Sequence, residues 1–536
     1  MSVEQQVGQR VDAVVVGAGF AGLYMLHRLR GLGLSTVVLE AGDGVGGTWY
    51  WNRYPGARCD SESWFYSYSF SDELQQEWEW SERYPRQPEI LSYLEHVADR
   101  FDLRRDIRFG QRVTAATFND GWDVVTADGE RFSAQYLITA VGCLSTANVP
   151  AIPGLGAFEG DWFHTGMWPH EGVSFTGRRV GVIGTGSTGI QAIPMIAQEA
   201  DHLTVFQRTA NYSVPARNGP FDPADQTEIK RNYATHRETQ RSTTGGFPYF
   251  PDDRSALSVS DEERAAVYEA AWERGGLRFR ASFNDILLDP QANATASEFL
   301  RAKIADVVHD PATAGALTPH DHGFATKRPP IDTHYFETYN RDNVTLVDLK
   351  AAPIQEITSA GIRTSAADHP LDTIVFATGF DALTGPLLGI DIRGADGLSL
   401  RDEWTAGPRT YLGLQVAGFP NLFTITGPGS PSVLTNMPTS IEQHVGWIAD
   451  CLAHLRAHGV ERIEATRAAQ DAWMAHVAEA AAATLLSQSP TSWYLGANVP
   501  GKPRIFMPYA GGLATYAKRC AEVATAGYQG FALSSG

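Results

Sequence analysis

An α/β fold with two nucleotide-binding domains and a mostly helical insertion is predicted from three features of the 536-residue sequence. The first feature, at residues 11–40, is an apolar run that ends in a glycine-rich turn and is followed by an amphipathic helix. The second is a repeat of that arrangement at residues 178–208. The third is a polar stretch at residues 216–326, with helix-like segments such as SDEERAAVYEAAWERGG. Two βαβ units of this kind are typical of Rossmann-like dinucleotide-binding domains.

The first unit, VDAVVVGAGFAGLYMLHRLRGLGLSTVVLE, has the pattern strand, turn, helix, strand. Gly17 permits the tight turn, Gly19 lets the backbone approach a pyrophosphate, and Gly22 allows the helix to pack closely. The anion then meets the positive end of the helix. Glu40 ends the second strand and is predicted to accept hydrogen bonds from ribose hydroxyls. A turn without a ligand is the alternative interpretation of this spacing.

The second unit repeats the spacing with Gly184, Gly186 and Gly189. In the first unit the ribose carboxylate lies 18 positions after the last glycine, and the same offset here leads to Gln207, which is followed by Arg208. A neutral group beside a guanidinium suits a ribose that carries a 2′-phosphate. The second site is therefore predicted to bind NADP rather than NAD. A solvated surface arginine is the alternative interpretation.

Later strands complete both units. Residues 121–142 and 371–381 each end in a strand with a small-residue turn, and both resemble the returning strands of two-dinucleotide flavoproteins. Residues 419–431 predict a strand and a Gly/Pro loop, which resemble the segment that closes over the flavin in that fold. The predicted domains are an FAD-binding domain from residues 1–145 and 385–536 with a mobile loop near 490–505, an NADP-binding domain from 146–215 and 327–384, and the helical insertion at 216–326.

Composition and charge exclude several classes of protein. With 43 basic and 61 acidic side chains the formal net charge is −18 and no Lys/Arg run is present, so nucleic acid is not a predicted partner. The first residues, MSVEQQVGQR, lack the apolar region of a secretory signal, and no run of 18 apolar residues predicts a membrane span. A cytoplasmic location is expected. The four cysteines lie far apart, which argues against a metal site or a redox dithiol.

Two longer motifs carry a resemblance to a known family. The stretch FEGDWFHTGMWPH places Phe158, Gly160, His164, Trp168 and Pro169 on the pattern F-x-G-x-x-x-H-x-x-x-W-P/D, the fingerprint of class I Baeyer–Villiger monooxygenases. The stretch GGTWYWNRYPGARCD meets a second pattern of that family, G-G-x-W-x-x-x-x-Y-P-G-x-x-x-D. The chain resembles the family over nearly its whole length, and looks most similar to the phenylacetone and steroid monooxygenase branch.

The fingerprint segment fits neither a helical nor a strand period. We therefore predict an irregular linker between the two nucleotide domains. His164 is expected to hydrogen-bond to neighbouring backbone and to couple NADP occupancy to the flavin pocket. A direct acid or base role for His164 is the alternative.

The resemblance implies FAD and NADP(H) as cofactors, and a small ketone and O2 as substrates. The implied reaction inserts one oxygen atom next to the ketone carbonyl, through a flavin C4a-peroxide and a tetrahedral (Criegee) adduct, to give an ester or lactone; sulfides are further expected substrates. Lys327 and Arg208 are the candidates for binding the 2′-phosphate. The predicted cofactor-binding residues are Gly17, Gly19, Phe20, Gly22, Glu40, Gly47, Thr48, Trp49, Asp60, Thr185, Gly186, Ser187, Thr188, Gln191, Arg208, Lys327, Arg328 and Trp493.

Arg328 matches the active-site arginine of the family and is predicted to stabilise negative charge on the peroxide and the adduct. Asp60 corresponds to the carboxylate that positions this guanidinium. A purely structural salt bridge is the alternative interpretation. By resemblance, Leu434 and Met437 form the rim of the ketone pocket. Trp493 folds over the nicotinamide side, although a core tryptophan is the alternative there.

Three other functions remain as alternatives. A flavin monooxygenase that oxidises amines or sulfides shares the two nucleotide units but does not need the Asp60 and Arg328 pair. A dithiol reductase of the same fold requires two neighbouring cysteines, which the spacing of Cys59 and Cys143 does not provide. A dinucleotide sensor without catalysis gives no reason for the paired charges. The preferred ketone and the choice between a monomer and a homodimer stay open.

Overall fold

A computed structural model describes residues 8–535 of the chain. Its strands are β1 (Gln9–Val16), β2 (Thr36–Leu39), β3 (Ile107–Arg108), β4 (Val113–Phe118), β5 (Trp122–Thr126), β6 (Arg131–Thr139), β7 (Asp161–His164), β8 (Arg179–Ile183), β9 (His202–Gln207), β10 (Val214–Pro215), β11 (Ile331–Asp332), β12 (Val344–Asp348), β13 (Ile354–Thr358), β14 (Gly361–Thr364), β15 (Asp368–Pro370), β16 (Thr373–Phe376), β17 (Asp391–Arg393), β18 (Leu422–Thr424), β19 (Arg462–Ala465) and β20 (Phe531–Ser534).

The α-helices are α1 (Phe20–Gly31), α2 (Thr48–Trp51), α3 (Asp72–Glu77), α4 (Gln87–Arg100), α5 (Ser187–Glu199), α6 (Pro223–Arg231), α7 (Tyr233–Ser242), α8 (Asp261–Arg274), α9 (Pro290–Val307), α10 (Pro311–Leu317), α11 (Tyr335–Thr338), α12 (Gly385–Leu388), α13 (Leu400–Glu403), α14 (Met437–Ala457), α15 (Arg467–Ala482) and α16 (Leu513–Thr525). Among the helices of the described residues, none is both long enough and apolar enough to cross a membrane.

The larger sheet has the first unit near its centre. Its strand order is β17-β4-β5-β6-β1-β2-β3, with β18 beside the end of β6. β1 runs parallel to both β2 and β6, and Val15 lies opposite Val38 and Ile138. All three side chains are fully buried. Strands covered on both faces need continuous apolar runs, which explains the valine-rich sequence before the first glycine turn.

The second sheet is entirely parallel, with the strand order β12-β9-β8-β16-β7. β8 and β9 flank the second glycine-rich turn and α5. The predicted returning strand appears as β16, which inserts between β8 and β7. The predicted α/β fold with two Rossmann-like units is therefore confirmed.

Part of the fingerprint segment differs from the prediction. The irregular structure expected there is wrong for Asp161–His164, which form β7 and pair in parallel with β16 from Thr373↔Asp161 to Phe376↔His164. β7 lies at the sheet edge and has only four residues, of which the first two are exposed. So short a strand, with a single neighbour, shows no two-residue alternation that its sequence could reveal.

The predicted insertion is mostly helical, as expected, and contains α6 to α10. The segment SDEERAAVYEAAWERGG forms α8. Ser260 caps this helix by accepting a hydrogen bond from the Glu263 N–H at 3.2 Å, and three acidic residues occupy the first turn. Gly275, with φ of +71°, ends the helix in a conformation that favours glycine.

A buried arginine attaches the insertion to the loop after α2. Arg237 on α7 is 4% exposed. Its guanidinium donates to the carbonyl oxygens of Trp64, Phe65 and Tyr68 and to the side chains of Ser67, Gln75 and Gln240. Burial lowers the pKa of Arg237, and a buried cation destabilises the fold unless hydrogen bonds compensate. The insertion is therefore held by a satisfied polar contact rather than by apolar packing alone.

Arg237→Ala should lower the free energy of local unfolding around α7 by about 3–5 kcal/mol, because buried acceptors lose their donor. The rate of limited proteolysis within residues 223–317 measures this opening. Arg241→Ala, one turn further along α7 at an exposed position, is the matched control. Equal cleavage rates for the two variants would contradict the expectation.

Candidate active site

The first glycine turn joins β1 to α1. A Cβ atom at position 22 would lie 1.8 Å from the carbonyl oxygen of Gly17, so only glycine lets the helix pack on the turn. Gly47 approaches so closely that its Cβ would lie 2.9 Å from the Cα of Gly19. α1 begins at Phe20, and no side chain caps it. Its first backbone N–H groups therefore remain available to an anion.

Glu40 lies beside this turn. Its two carboxylate oxygens accept hydrogen bonds from the N–H groups of Ala18 at 2.7 Å and Gly42 at 2.8 Å. Burial raises the pKa of Glu40, while both N–H groups act in the opposite direction. The carboxylate is thus fixed at the end of β2, and each oxygen retains capacity to accept a further hydrogen bond.

Aromatic side chains line the region next to the turn. Thr48 and Trp49 begin α2, and the Trp49 indole N–H donates to Tyr66 Oη at 3.3 Å. The ring of Phe20 meets the ring of Tyr66 edge-on, with centroids 5.4 Å apart. These contacts bring the predicted residues Phe20, Thr48 and Trp49 next to one another.

The second glycine turn has the same construction. Gly184 has φ of +112°, and a Cβ atom on Gly189 would lie 2.2 Å from the Gly184 carbonyl oxygen. A Cβ atom on Gly186 would meet nothing within 4 Å. Ser187 and Thr188 form the start of α5, which no side chain caps. The turn therefore presents uncapped N–H groups to open space, as an anion site requires.

The charges beside the second turn differ from those beside the first. Gln207 is buried, and its amide donates to the Ala316 carbonyl oxygen at 2.7 Å, so it is part of the protein interior. Arg208 is exposed. Within residues 8–535, neither Arg208 nor Lys327 forms an ion pair. Burial lowers the pKa of Lys327 to about 8, and the positive charge of Arg208 contributes to that shift. Two neighbouring cations that form no ion pair suit an anion, although the negative charge of Asp321 also acts on Lys327.

Two other predicted cofactor-binding residues form contacts within the protein. Gln191 accepts a hydrogen bond from Tyr54 Oη at 2.7 Å and donates to the Arg58 carbonyl oxygen at 3.1 Å. The Thr185 hydroxyl donates to the Thr209 carbonyl oxygen at 3.1 Å. Gln191 thereby ties α5 to the GGTWYWNRYPGARCD segment, which leads to Asp60.

Asp60 and Arg328 form a bidentate pair. Arg328 Nε lies 3.0 Å from one carboxylate oxygen, and Nη2 lies 2.7 Å from the other. Nη1 donates to the Val433 carbonyl oxygen at 3.1 Å. Burial lowers the pKa of Arg328, but the charge and hydrogen bonds of Asp60 outweigh it, so the net shift is upward. Three of five N–H groups are used, and one on each terminal nitrogen stays free.

The predicted substrate rim lies next to this guanidinium. Leu434, Met437 and Trp493 are half-buried and pack against one apolar cluster that contains Val433 and Tyr494. Because the Val433 carbonyl also binds Arg328, the cluster adjoins the guanidinium. The structure therefore places the predicted rim beside the predicted catalytic arginine.

Tyr494 lies near Arg328, and the sequence did not predict it as a site residue. Its ring is buried, with its centroid 4.5 Å from that of Trp493. Burial raises the pKa of Tyr494, while the positive charges of Arg328 and Arg280 oppose that shift. Only its position beside Trp493 could have drawn attention to it.

His164 has no contact with the Asp60–Arg328 pair. It is fully buried, and its Nδ1 accepts a hydrogen bond from the Gly166 N–H at 3.0 Å. Burial lowers the pKa of His164, and backbone groups of Gly379 and Asn148 oppose the shift. The geometry favours the predicted backbone-holding role over the acid or base alternative.

The other fingerprint residues pack around β7. A Cβ atom on Gly160 would lie 2.4 Å from the Asp372 carbonyl oxygen and 2.6 Å from the ring of Phe158. Trp168 is 4% exposed and belongs to the apolar core of the second sheet. Pro169 accepts a hydrogen bond from the Gly172 N–H at 3.1 Å. These four residues fix the backbone where the chain enters the second sheet.

The segment near residues 490–505, which was predicted to be a mobile loop, is held against the rest of the protein by hydrogen bonds and an ion pair, and is called the docked loop below. Asn498 donates to the Phe380 carbonyl oxygen at 2.7 Å and accepts at its own carbonyl from Asn148 at 3.1 Å. The ammonium of Lys502 binds Asp381 and the Ala382 carbonyl oxygen. The loop thus bonds to both segments in which the chain passes between the two sheets. One segment lies between β6 and β7, and the other lies between β16 and β17.

Comparison with known proteins agrees with this geometry. A family model described as pyridine nucleotide-disulphide oxidoreductase matches residues 14–236. An acetone monooxygenase (methyl acetate-forming) from Gordonia sp. is 46% identical, over 98% of this chain and 99% of its own. A Baeyer–Villiger monooxygenase from Pseudooceanicola batsensis is 46% identical over 97% and 96%. A phenazine N-monooxygenase from Lysobacter antibioticus is 45% identical, covering 98% of this chain.

Solved structures agree as well. An oxidised steroid monooxygenase bound to NADP is 56% identical, with a TM-score of 0.94 over 98% of this chain and 100% of its own. OTEMO in complex with FAD and NADP is 42% identical, with a TM-score of 0.95 over 98% and 100%.

The fold and the two glycine turns define a pyridine-nucleotide oxidoreductase. Within that class, the full-length relatives show that the chain belongs to the Baeyer–Villiger monooxygenases. The predicted family is confirmed, and the 56% identity to a steroid monooxygenase agrees with the predicted branch.

Proposed function

We propose that this protein binds FAD at the first glycine turn and NADP(H) at the second. It uses NADPH and O2 to insert one oxygen atom next to the carbonyl of a small ketone, which gives an ester or a lactone. The observation that carries the proposal is the bidentate Asp60–Arg328 pair, which leaves two N–H groups free beside an apolar rim.

The residues around the first turn fit FAD. The uncapped start of α1 suits the pyrophosphate, the fixed Glu40 carboxylate suits the ribose hydroxyls, and Gly19 and Gly47 leave no side chain in the way. When bound and reduced, FAD supplies the chemistry that activates O2.

The residues around the second turn fit NADP(H). The open space at Gly186 and the uncapped start of α5 suit a pyrophosphate. Arg208 and Lys327 supply the positive charge that a 2′-phosphate requires, and no carboxylate occupies the position equivalent to Glu40. Trp493, in the docked loop, covers the nicotinamide side in this proposal.

Arg328 stabilises the negative charge that develops on the oxygen of the ketone carbonyl. It stays protonated throughout, because Asp60 raises its pKa, so it acts electrostatically and not as an acid. Asp60 holds the guanidinium plane and thereby orients the two free N–H groups before the substrate arrives. Such preorganised donors are effective because they need no rearrangement during the reaction.

Oxygenation of nitrogen or sulfur is a second candidate activity. The relative named a phenazine N-monooxygenase is 45% identical to this chain, which is nearly the identity of the ketone-oxidising relatives. A nucleophilic heteroatom carries no carbonyl oxygen, so this reaction gains little from Arg328. The two activities should therefore respond differently to a change at that position.

A cytoplasmic location belongs to the same proposal. All four cysteines are free thiols buried in the protein, which suits a reducing compartment.

The purified holoenzyme, incubated with NADPH and O2, should convert members of a panel of linear, cyclic, aromatic and steroidal ketones to products heavier by one oxygen atom. Mass spectrometry of the products measures this. Sulfide and phenazine substrates run beside the ketones as the comparison. Oxygenation of those heteroatoms with no ester or lactone from any ketone would favour the second candidate.

Arg328→Ala should slow ester formation about 100- to 1000-fold while leaving reduction of the flavin by NADPH largely intact. Arg328→Lys should rescue poorly, since an ammonium cannot form the planar bidentate pair, and Asp60→Ala should give a milder defect. Stopped-flow absorbance follows anaerobic reduction and then reoxidation by O2, together with the ester yield. Ester formation by Arg328→Ala at the parent rate would refute the catalytic assignment.

Arg208→Ala should raise the KM for NADPH about 10- to 100-fold and change the KM for NADH little, because only NADPH carries the phosphate that loses a charge-assisted hydrogen bond. Steady-state kinetics with both coenzymes measure this. Arg179→Ala, at the opposite end of β8 in an exposed pair with Asp372, is the matched control. An equal loss with both coenzymes would show that Arg208 supports the fold instead.

A further inference from the structure

An arginine without an ionic partner lies where the helical insertion meets the predicted substrate rim. Arg280 belongs to the short 3₁₀ helix Leu277–Ala281 and is half-buried. Within residues 8–535 its guanidinium forms neither an ion pair nor a hydrogen bond. A partly buried cation that has lost water without gaining an acceptor binds an anion favourably.

Backbone contacts join the surroundings of this guanidinium to the rim. Its central carbon lies 5.8 Å from the centre of the Phe247 ring. A Cβ atom on Gly245 would lie 3.5 Å from Nη2 of Arg280, so this nitrogen is beside the Gly245 backbone. The Gly245 carbonyl oxygen accepts a hydrogen bond from the Asn436 N–H at 2.9 Å. Asn436 directly precedes Met437 of the rim, so the segment that borders the guanidinium is hydrogen-bonded to the substrate rim.

Apolar packing joins the same two regions. Phe247 is buried in a large apolar cluster that contains residues of the first nucleotide unit and of the insertion. Met437 and Leu287 pack against this cluster and also against the rim cluster that contains Tyr494. The positive charge of Arg280 acts on Tyr494 as well, where it opposes the upward shift of the tyrosine pKa. Arg280 therefore lies on the insertion side of the predicted ketone pocket.

The carboxylates on neighbouring segments are bound to other arginines. The Asp252 N–H donates to the carbonyl oxygen of the residue after Arg280, at 3.0 Å. The carboxylate of Asp252, however, accepts two hydrogen bonds from Arg254, at 2.9 and 2.7 Å. Arg278, on the same short helix, has Glu62 as its partner at 3.7 Å. Arg280 is thus the cation of this region whose charge the described residues leave unpaired.

We propose that Arg280 is a specificity-determining residue, which binds a carboxylate at the end of the substrate remote from the ketone carbonyl. The preferred substrates are then oxo acids, ketones that carry an ionised carboxyl group on an otherwise apolar chain or ring. This inference rests on the proposed oxygenation of ketones and names the substrate class of that site. A guanidinium with free N–H groups suits a carboxylate, since the two can form parallel hydrogen bonds. The apolar rim accommodates the chain between the two charged ends, and Arg328 acts at the carbonyl.

Steady-state kinetics of the holoenzyme with NADPH and O2 test the inference. The substrates are methyl ketones with a terminal carboxylate, in a series of chain lengths, and each acid is compared with its own neutral methyl ester. The parent protein should have a lower KM for the acid than for the ester at the chain length that spans both arginines. In Arg280→Ala the ratio of the two KM values, acid over ester, should rise about 10- to 100-fold, because a hydrogen bond to a charged group is lost. The ratio of the two kcat values should change less, because the remote group takes no part in the reaction.

Two further variants separate a binding role from a structural one. Arg280→Lys keeps the charge but loses the planar fork, and should retain part of the preference for the acid. Arg280→Glu should reverse the preference, so that a methyl ketone with a quaternary ammonium group has a lower KM than the acid. Anaerobic reduction of the flavin by NADPH checks that each variant is folded and loaded. Arg231→Ala removes an exposed arginine of the insertion, which pairs with Glu228, and is the matched control.

An unchanged ratio in Arg280→Ala, or an equal rise in Arg231→Ala, would overturn the role of Arg280. A parent protein that prefers the ester to the acid at every chain length would overturn it as well. Failure of the parent protein to oxygenate any ketone, neutral or acidic, would instead refute the proposed function itself. The two failures are therefore distinguishable.

Discussion

The bidentate contact between Asp60 and Arg328 is the constraint on which the candidate active site depends. The two residues are 268 positions apart, one after α2 and the other just before β11. Both oxygens of the carboxylate and a third acceptor, the Val433 carbonyl, hold the guanidinium, so its plane cannot rotate. The pair is partly buried, which strengthens its attraction relative to a fully exposed pair. The remaining N–H groups therefore have fixed directions beside the apolar rim.

The two glycine turns share a backbone but differ in charge. Both use a left-handed first glycine and a last glycine that packs against its carbonyl oxygen, since any Cβ atom there would collide. At the first turn the neighbouring charge is the Glu40 carboxylate, held by backbone N–H groups. At the second, the charges are cations without ion-pair partners among the described residues. One backbone solution thus occurs in two different charge environments, and our proposal of FAD at the first turn and NADP(H) at the second rests on that difference.

The segments that cross between the sheets meet at one place. Backbone around Asn148 and Gly379 surrounds His164, and Asn498 and Lys502 of the docked loop bond to the same two crossings. A shift of either crossing must therefore disturb the loop that carries Trp493 and Tyr494. We therefore propose that the fingerprint segment acts mechanically, as a hinge does, rather than as an acid or a base.

Local sequence determined both βαβ units, the glycine positions, the returning strands and α8 with its cap, because those signals lie within single elements or between chain neighbours. The pairing of Asp60 with Arg328 came only from the family resemblance, since no local pattern joins residues so far apart. Tertiary structure alone decided that Asp161–His164 form an edge strand, that Gln207 turns into the interior, and that Tyr494 lies near Arg328. Each of these outcomes depends on which distant surfaces pack together, and packing between elements leaves no periodic trace in the sequence of either one.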